Sequence, residues 1–335
     1  MVVLDILKEL CTAPGVSGRE EPTGEVFREL ILPHCGEIKG DALGNLWGAK
    51  AAGGEKSIVI EAHGDKIGLI VSHIMDEGFV LFAPVGGFDP KVLSACAVKI
   101  YGKKIIEGVI CALPPHIKNK DDKKVTPIDK MCIDTGFSKD DLEGLVSVGD
   151  VIEISAEFTR LGGEFAAAPA CDDRAGLASL VKCMEILDGE AHNTDVYALM
   201  SSGEEIGLRG APGAVYKINP SAYICVDVCH GKTPDASENT FSAGGGVVIT
   251  VGPNITRSLS NKLISLAKKA EIPYQIDVDS GNTGTNAWAV QVVRRGIPTA
   301  LLSIPLRYMH SGYEVVCGED ILSCAWLMAE FIKEF

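Results

Sequence analysis

The sequence predicts an α/β protein: a mostly parallel sheet sandwiched by helices, with a small β-barrel-like unit inserted into it. Two observations predict this. Toward both ends of the 335-residue chain, short apolar runs alternate with helix-period segments, the pattern of parallel strands joined by crossover helices. Between Ile67 and Gly163 that pattern stops, and brief β-like runs separated by Gly, Pro and Asp turns replace it. The length also exceeds the ~250–300 residues at which single cores tend to divide. The expected organisation is one discontinuous α/β domain, residues 1–66 with 164–335, and an inserted β-rich domain over 67–163.

The elements follow in order. "EEPTGEVFREL" has apolar residues at roughly helical spacing, and "SIVIEA" is a short buried strand running into "HGD". The middle unit contains "IGLIVSHI", "GFVLFAPV", "AVKIYG", "KIIEGVICAL" and "GDVIEIS". After Ala166 the helical period returns: "DDRAGLASLVKCMEIL" places Leu177, Leu180, Val181, Met184 and Leu187 on one face, behind two acids suited to a positive helix start. Strand "DVYALM", helix "LRGAPGAVYKI", strand "AYICVDV", helices "SLSNKLISLAKKA" and "NAWAVQVVRR", strand "IPTALLSIP" and helix "EDILSCAWLMAEFI" complete the chain.

Composition removes several classes of function. A formal net charge of −14 argues against nucleic acid and anionic membrane as partners, since phosphate binding wants clustered Lys and Arg. The one basic run, "KNKDDKK" at Lys118 to Lys124, mixes both signs and reads as a solvated loop. No apolar run approaches the ~18–20 residues of a membrane span. "MVVLDILKELC" lacks the basic flank and long apolar stretch of a signal peptide. Eleven Cys without a CxxC pair suggest reduced thiols, and with them a cytoplasmic location.

Ligands of open α/β sheets bind outside the carboxyl ends of the strands. Here those ends carry His63 and Asp65, Glu204 and Glu205, Asp227, and His310, while the turn before the helix at Ala175 adds Asp172 and Asp173. So many carboxylates on one rim repel unless a cation is present. Two His with several Asp and Glu suit Zn²⁺ or Co²⁺, with Mn²⁺ next, and the acid count is enough for two ions sharing a bridging carboxylate. An acid two residues after a ligating His, as in "HGD", suits a partner for the other ring nitrogen. Each residue alone has a plainer reading. "EE" suits a helix start, "DDR" a capping pair with a surface Arg, and Asp227 a turn. Their joint position on one rim favours the cation site. Other motifs are weaker. "CVDVCH" is a core strand or a thiolate site, "SAGGG" lacks the Lys-Ser/Thr of a phosphate loop, and "GNTGTNAW" is placed equally well as a pocket wall or a helix cap.

"APGVSGREEPTGEVFREL", "DALGN", "AHGDKIGLIV", "VGGFDPKV", "PPH", "ACDDRAG", "GEEIGLRGA", "VDVCHGKTPDAS", "GIPTALLSIPLRYMHS" and "EVV" occur in one order along nearly the whole chain. In that ordered set the sequence resembles the M42 metallo-aminopeptidases, relatives of the glutamyl aminopeptidases and tetrahedral dodecameric peptidases, some of them labelled endoglucanase. The resemblance implies a di-zinc peptidase-like fold with an inserted barrel-like oligomerisation domain. It implies that His63 and Asp227 hold one divalent metal, Glu205 and His310 the other, and that Asp172 bridges them. Asp65 would orient His63, and Glu204 would be the general base. It further implies removal of N-terminal residues from peptides, and a homo-oligomer, commonly a dodecamer built from dimers around a chamber. Two positions depart from the family: Lys66, usually acidic, and Asn286, often Asp. Both bear on specificity. Two enzyme alternatives stand beside this reading: a metal-dependent amidohydrolase or deacylase of small acyl-amino acids, and a metal-free glycosidase using paired carboxylates.

Overall fold

The apolar runs that end in histidine or acid form the centre of one sheet. In the computed structural model, which describes residues 1–112, 125–236 and 239–335, strands Thr194–Ser201, Lys56–His63, Ala222–His230 and Thr299–Arg307 lie side by side in that order. All three contacts between them are parallel. The strands are largely apolar because helices cover both faces. Ile58 and Ile60 face one core together with Leu177, Leu180 and Met328, while Val59 between them faces the other with Ala211, Val215 and Ala287. Register brings Ser201 opposite His63 and Asp227 opposite Ser303, so the carboxyl ends share one rim. Antiparallel strands extend the edges, giving eleven strands among the described residues.

Strands Gly68–Ile74, Val80–Val85, Ile133–Asp134, Ile105–Ile110, Ala97–Tyr101 and Val151–Ile154 close into an antiparallel barrel in that order. Ile105–Ile110 alternates exposed and buried residues, as a barrel wall demands. Leu69, Val71, Phe82, Ile100 and Ile106 fill its interior, a core separate from the two that flank the sheet. The run Lys118–Lys124 and the motif "PPH" lie outside the described residues.

Several elements differ from the sequence expectation. Helix Val3–Thr12 carries a buried stripe of Val3, Ile6, Leu7 and Leu10, a helical period within "MVVLDILKELC" that adds an element to the expected order. "LRGAPGAVYKI" is helical only over Gly210–Ile218, because Leu208 is left-handed with φ 57°. "NAWAVQVVRR" is helical over Asn286–Val290 alone, and Arg294 at φ 56° turns the chain before Gly296. In "SAGGG" the N–H groups of Gly244 and Gly246 both donate to Asp320 at 2.7 Å, so the chain's own carboxylate takes the donors a phosphate would need.

Candidate active site

Each rim residue is set by a local cause. His63 is the last residue of its strand and is buried. Beyond Ser201 the chain turns through Gly203, whose φ of 61° favours glycine. Asn45 Oδ1 accepts the N–H of Ser202 at 3.0 Å. Asp65 then clamps the acidic pair: its Oδ1 accepts the Glu204 N–H at 3.0 Å and its Oδ2 the Glu205 N–H at 3.1 Å, with Ser17 Oγ donating at 2.6 Å. The pair is therefore no helix start, since the helix begins five residues later at Gly210.

A second buried carboxylate works in the same way on the other side. Glu314 Oε2 accepts the Asp172 N–H at 3.0 Å and Oε1 the His310 N–H at 2.8 Å. It fixes two segments of the chain that meet only in the fold. Asp172 precedes the regular part of its helix, with non-helical ψ of 105°, and His310 is left-handed at φ 60°. Each needs such an anchor. The sequence reading missed Glu314 as a site residue, although the motif "EVV" contains it.

These supports bring five donor side chains together as two groups, His63 with Asp172 and Asp227, and Asp172 with Glu205 and His310. Within each group the donor atoms lie within 4.8 Å of one another. Asp172 belongs to both. Its Oδ1 is 3.0 Å from His63 Nε2, and its Oδ2 is 3.3 Å from His310 Nε2. His310 Nε2 also lies 3.4 Å from Glu205 Oε1, and His63 Nε2 lies 4.0 Å from Asp227 Oδ1. Glu204 stands beside these groups and belongs to neither. His63 Nδ1 meets the backbone oxygen of Asp65 at 3.1 Å and its carboxylate at 3.5 Å. Asp65 thus faces the ring, but its stronger bonds go to the Glu204–Glu205 backbone.

The electrostatics explain what the cluster wants. Burial pushes the Glu204 carboxyl up to about 8, with His63 opposing and Glu205, Asp172 and Asp65 adding to the rise. Burial likewise drives Asp227 and Glu314 well above the carboxylate range. Hydrogen bonds to Asp172 and Glu205 raise His310 to about 11. Burial disfavours charge on His63, yet Asp172, Asp65 and Glu204 together raise it well above an ordinary imidazole. The site concentrates negative charge and takes up protons to offset it. Divalent cations supply the same charge, and the donor set of imidazole and carboxylate suits borderline cations with no thiolate required. The residues fit two such ions.

Beneath the rim, Glu61 is fully buried among partners from three other elements. It accepts from Ser201 Oγ at 2.5 Å, Tyr223 Oη at 2.6 Å and Asn286 Nδ2 at 2.8 Å. Asn286 turns its amide inward to the core and is not in the cavity wall, while Thr285 before it caps the short helix. Thr283 to Thr285 of the same motif do line the cavity. Arg174, expected at the surface, is also buried; it donates to Leu10 O at 3.1 Å and Thr23 Oγ1 at 2.6 Å, holding the N-terminal helices to the site.

The donor groups open into a cavity of about 560 Å³ that also includes Phe241, Met309, Asp277 and Asp279. No Lys or Arg lines it among the described residues. Cys229 is at its wall and Cys225 lies in the strand core, and neither belongs to a donor group.

A mixed α/β sheet bearing this imidazole and carboxylate rim, with a closed barrel beside it, is the build of a peptidase. The chain belongs to the M42 peptidase family: the family model described as M42 glutamyl aminopeptidase matches residues 44–327. It is similar to the lysyl aminopeptidase of Pyrococcus furiosus, 36% identical over 341 residues that span 100% of this chain and 98% of that protein. An aminopeptidase structure from the archaeon Desulfurococcus kamchatkensis superposes with a TM-score of 0.93 at 32% identity, covering 99% of this chain and 95% of that one. The TET1 peptidase of Pyrococcus horikoshii, described as assembling into a tetrahedron or a large octahedral shell, gives 0.87 at 31% identity, over 99% of this chain and 100% of that one. The protein is an aminopeptidase of a metal-dependent family. No helix among the described residues is long and apolar enough to cross a membrane.

Proposed function

We propose that this chain removes N-terminal residues from peptides by a co-catalytic two-metal hydrolysis. His63 and Asp227 would hold one divalent cation, Glu205 and His310 the other, with Asp172 shared and Glu204 acting as general base. One observation supports this above the rest: Asp172 turns one oxygen to each of two histidines, while Glu204 stays outside both donor groups. When bound, the cations supply Lewis acidity for the scissile carbonyl and for water. The protein's own groups do the remainder. Glu204 accepts the proton of the attacking water and returns it to the departing amine. Asp65 and Glu314 keep the reacting side chains in register through their backbone N–H bonds. The native ion, Zn²⁺, Co²⁺ or Mn²⁺, follows from a restoration experiment.

That experiment uses chelator-treated protein on aminoacyl-anilides and on N-acyl amino acids, with each ion added back separately. Restored hydrolysis of the free-amine substrates alone is expected. Preference for N-acyl amino acids would make the protein a deacylase, and activity indifferent to chelation would remove the metal from the account.

The cavity also bears on the N-terminal side chain. Four carboxylates, on Asp172, Asp227, Glu205 and Glu204, match the charge of two divalent cations, leaving Asp277 and Asp279 as net negative charge on the cavity wall. Such a wall attracts a basic side chain and repels an acidic one. N-terminal Lys is therefore favoured over Glu, in keeping with the name of the Pyrococcus furiosus relative. Asp277→Asn is expected to lower kcat/KM for a lysyl anilide about 10-fold, an effect of about 1.4 kcal/mol. The leucyl anilide is the control, and its value stays nearly constant.

The proposal extends to assembly. The TET1 relative's assembly into a tetrahedron or a large octahedral shell, and the dodecamer of a related TET1 structure, support a homo-oligomer; we propose a dodecamer built from dimers, with residues 67–163 as the inserted oligomerisation domain. The eleven cysteines are free, which suits a reducing compartment such as the cytoplasm.

A further inference from the structure

We infer that Lys66 and Glu153 form a positioning pair through which the barrel sets the Glu204–Glu205 turn. The inference rests on the roles just proposed for those two glutamates. Lys66 Nζ lies 2.9 Å from Glu153 Oε2, and each side chain is only 9% exposed. Glu153 belongs to barrel strand Val151–Ile154, whereas Lys66 follows the "HGD" segment of the central sheet. Two more donors complete the carboxylate: the Gly15 N–H at 2.9 Å on Oε1, and Tyr101 Oη, also of the barrel, at 3.1 Å on Oε2. Burial alone would raise Glu153, but Lys66 and the Gly15 N–H overcome it and hold the carboxyl below its ordinary range.

From this pair a continuous set of bonds leads to the catalytic turn. The Lys66 backbone N–H donates to Gly15 O at 3.0 Å, and the Ser17 N–H to Lys66 O at 3.2 Å. Ser17 Oγ donates to Asp65 Oδ2 at 2.6 Å, and Asp65 accepts the N–H groups of Glu204 and Glu205. Lys66 also stands between two spaces. It lines a recess of about 30 Å³ behind Asp172, Glu205 and Glu314, and a cavity of about 390 Å³ at the seam with Tyr101 and Glu153. A neutral side chain in its place leaves Glu153 buried and unpaired, which the seam relieves by opening. The Gly15–Ser17 segment would shift with it, and Asp65 would lose its Ser17 bond. A displacement near 1 Å at a reacting group costs about 10²-fold in rate.

The test uses the cation-loaded full-length protein. Lys66→Met should lower kcat roughly 10- to 100-fold with KM within about 2-fold, and speed amide exchange over residues 201–209, whereas Lys66→Arg keeps most of the rate. Glu153→Gln, which retains hydrogen-bond acceptance, should show the same pattern to a lesser degree. The double variant Lys66→Met/Glu153→Leu replaces the pair with apolar groups. It should regain the melting temperature and not the rate, because the seam no longer buries an unpaired charge but the Gly15 N–H has lost its Glu153 acceptor and the Gly15–Ser17 segment its anchor. Wild-type kcat and wild-type exchange over 201–209 in the folded double variant, or in Glu153→Gln, would reduce the pair to a mere weld between domains and overturn the inference. Glu204→Gln runs alongside. If that variant stays active, the failure belongs to the proposed mechanism instead.

Discussion

Glu204→Gln is expected to abolish nearly all hydrolysis while leaving the protein's cation content unchanged. Gln has the shape of Glu and keeps the backbone N–H that Asp65 Oδ1 accepts at 3.0 Å, so the turn survives the change. What is lost is a group able to take a proton. The side chain belongs to neither donor group, so no cation loses a ligand. General base catalysis typically contributes about 10²–10⁴-fold, and a loss of at least that size in kcat is expected. Steady-state kinetics beside elemental analysis of the same preparation checks both halves. Near-normal turnover would show that another group handles the proton.

Asp172→Asn should have the opposite character, weakening both cations at once. Its two oxygens face different histidines, at 3.0 and 3.3 Å. An amide keeps one oxygen, brings an N–H group toward one imidazole and removes the charge. Loss of an indirect supporting contact alone costs 10- to 100-fold in metal affinity, so loss of this shared ligand should exceed about 10²-fold for both ions. Asp227→Asn provides the contrast, since Asp227 stands in one group only. Its isotherm should lose one strong site and keep the other. Equal weakening of both sites by Asp227→Asn would contradict the assignment of Asp172 as the shared residue.

The site was legible in the sequence to the extent that it sits at the ends of apolar runs. His63, Glu205, Asp227 and His310 fall in or just after the last residues of the central parallel strands, where the covering helices diverge, Asp172 opens a helix beside them, and the structure brings all five donors together. The residues that hold them in place were less visible. Glu314 reads as part of a short strand, and its partners Asp172 and His310 lie 142 and 4 residues away. Arg174 looks like surface charge after two acids, yet its partners at Leu10 and Thr23 are 164 and 151 residues distant. Periodicity reports which face is buried but says nothing of a polar contact made across the fold. Glu61 did leave a signal, an acid inside the apolar run "SIVIEA". Its partner Asn286, 225 residues on, explains why that acid tolerates the core.

The barrel shows the same division. Its existence follows from the change of pattern at Ile67, whereas its closure depends on pairings such as Leu69 with Ile152, which no local signal specifies. Lys66 at that junction departs from the family's usual acidic residue, and the sequence alone does not place its side chain. Buried against Glu153, it belongs to the seam.

The proposed chemistry requires two divalent cations on one carboxylate-bridged site for release of an N-terminal residue. The most direct measurement titrates metal-free protein with Zn²⁺ or Co²⁺ while following cleavage of a peptide with a free N-terminus and of its N-acetylated counterpart. Full activity on the free peptide is expected to require two bound equivalents per chain, with the acetylated peptide intact throughout. Full activity at one equivalent or none, or equal cleavage of both peptides, would contradict it.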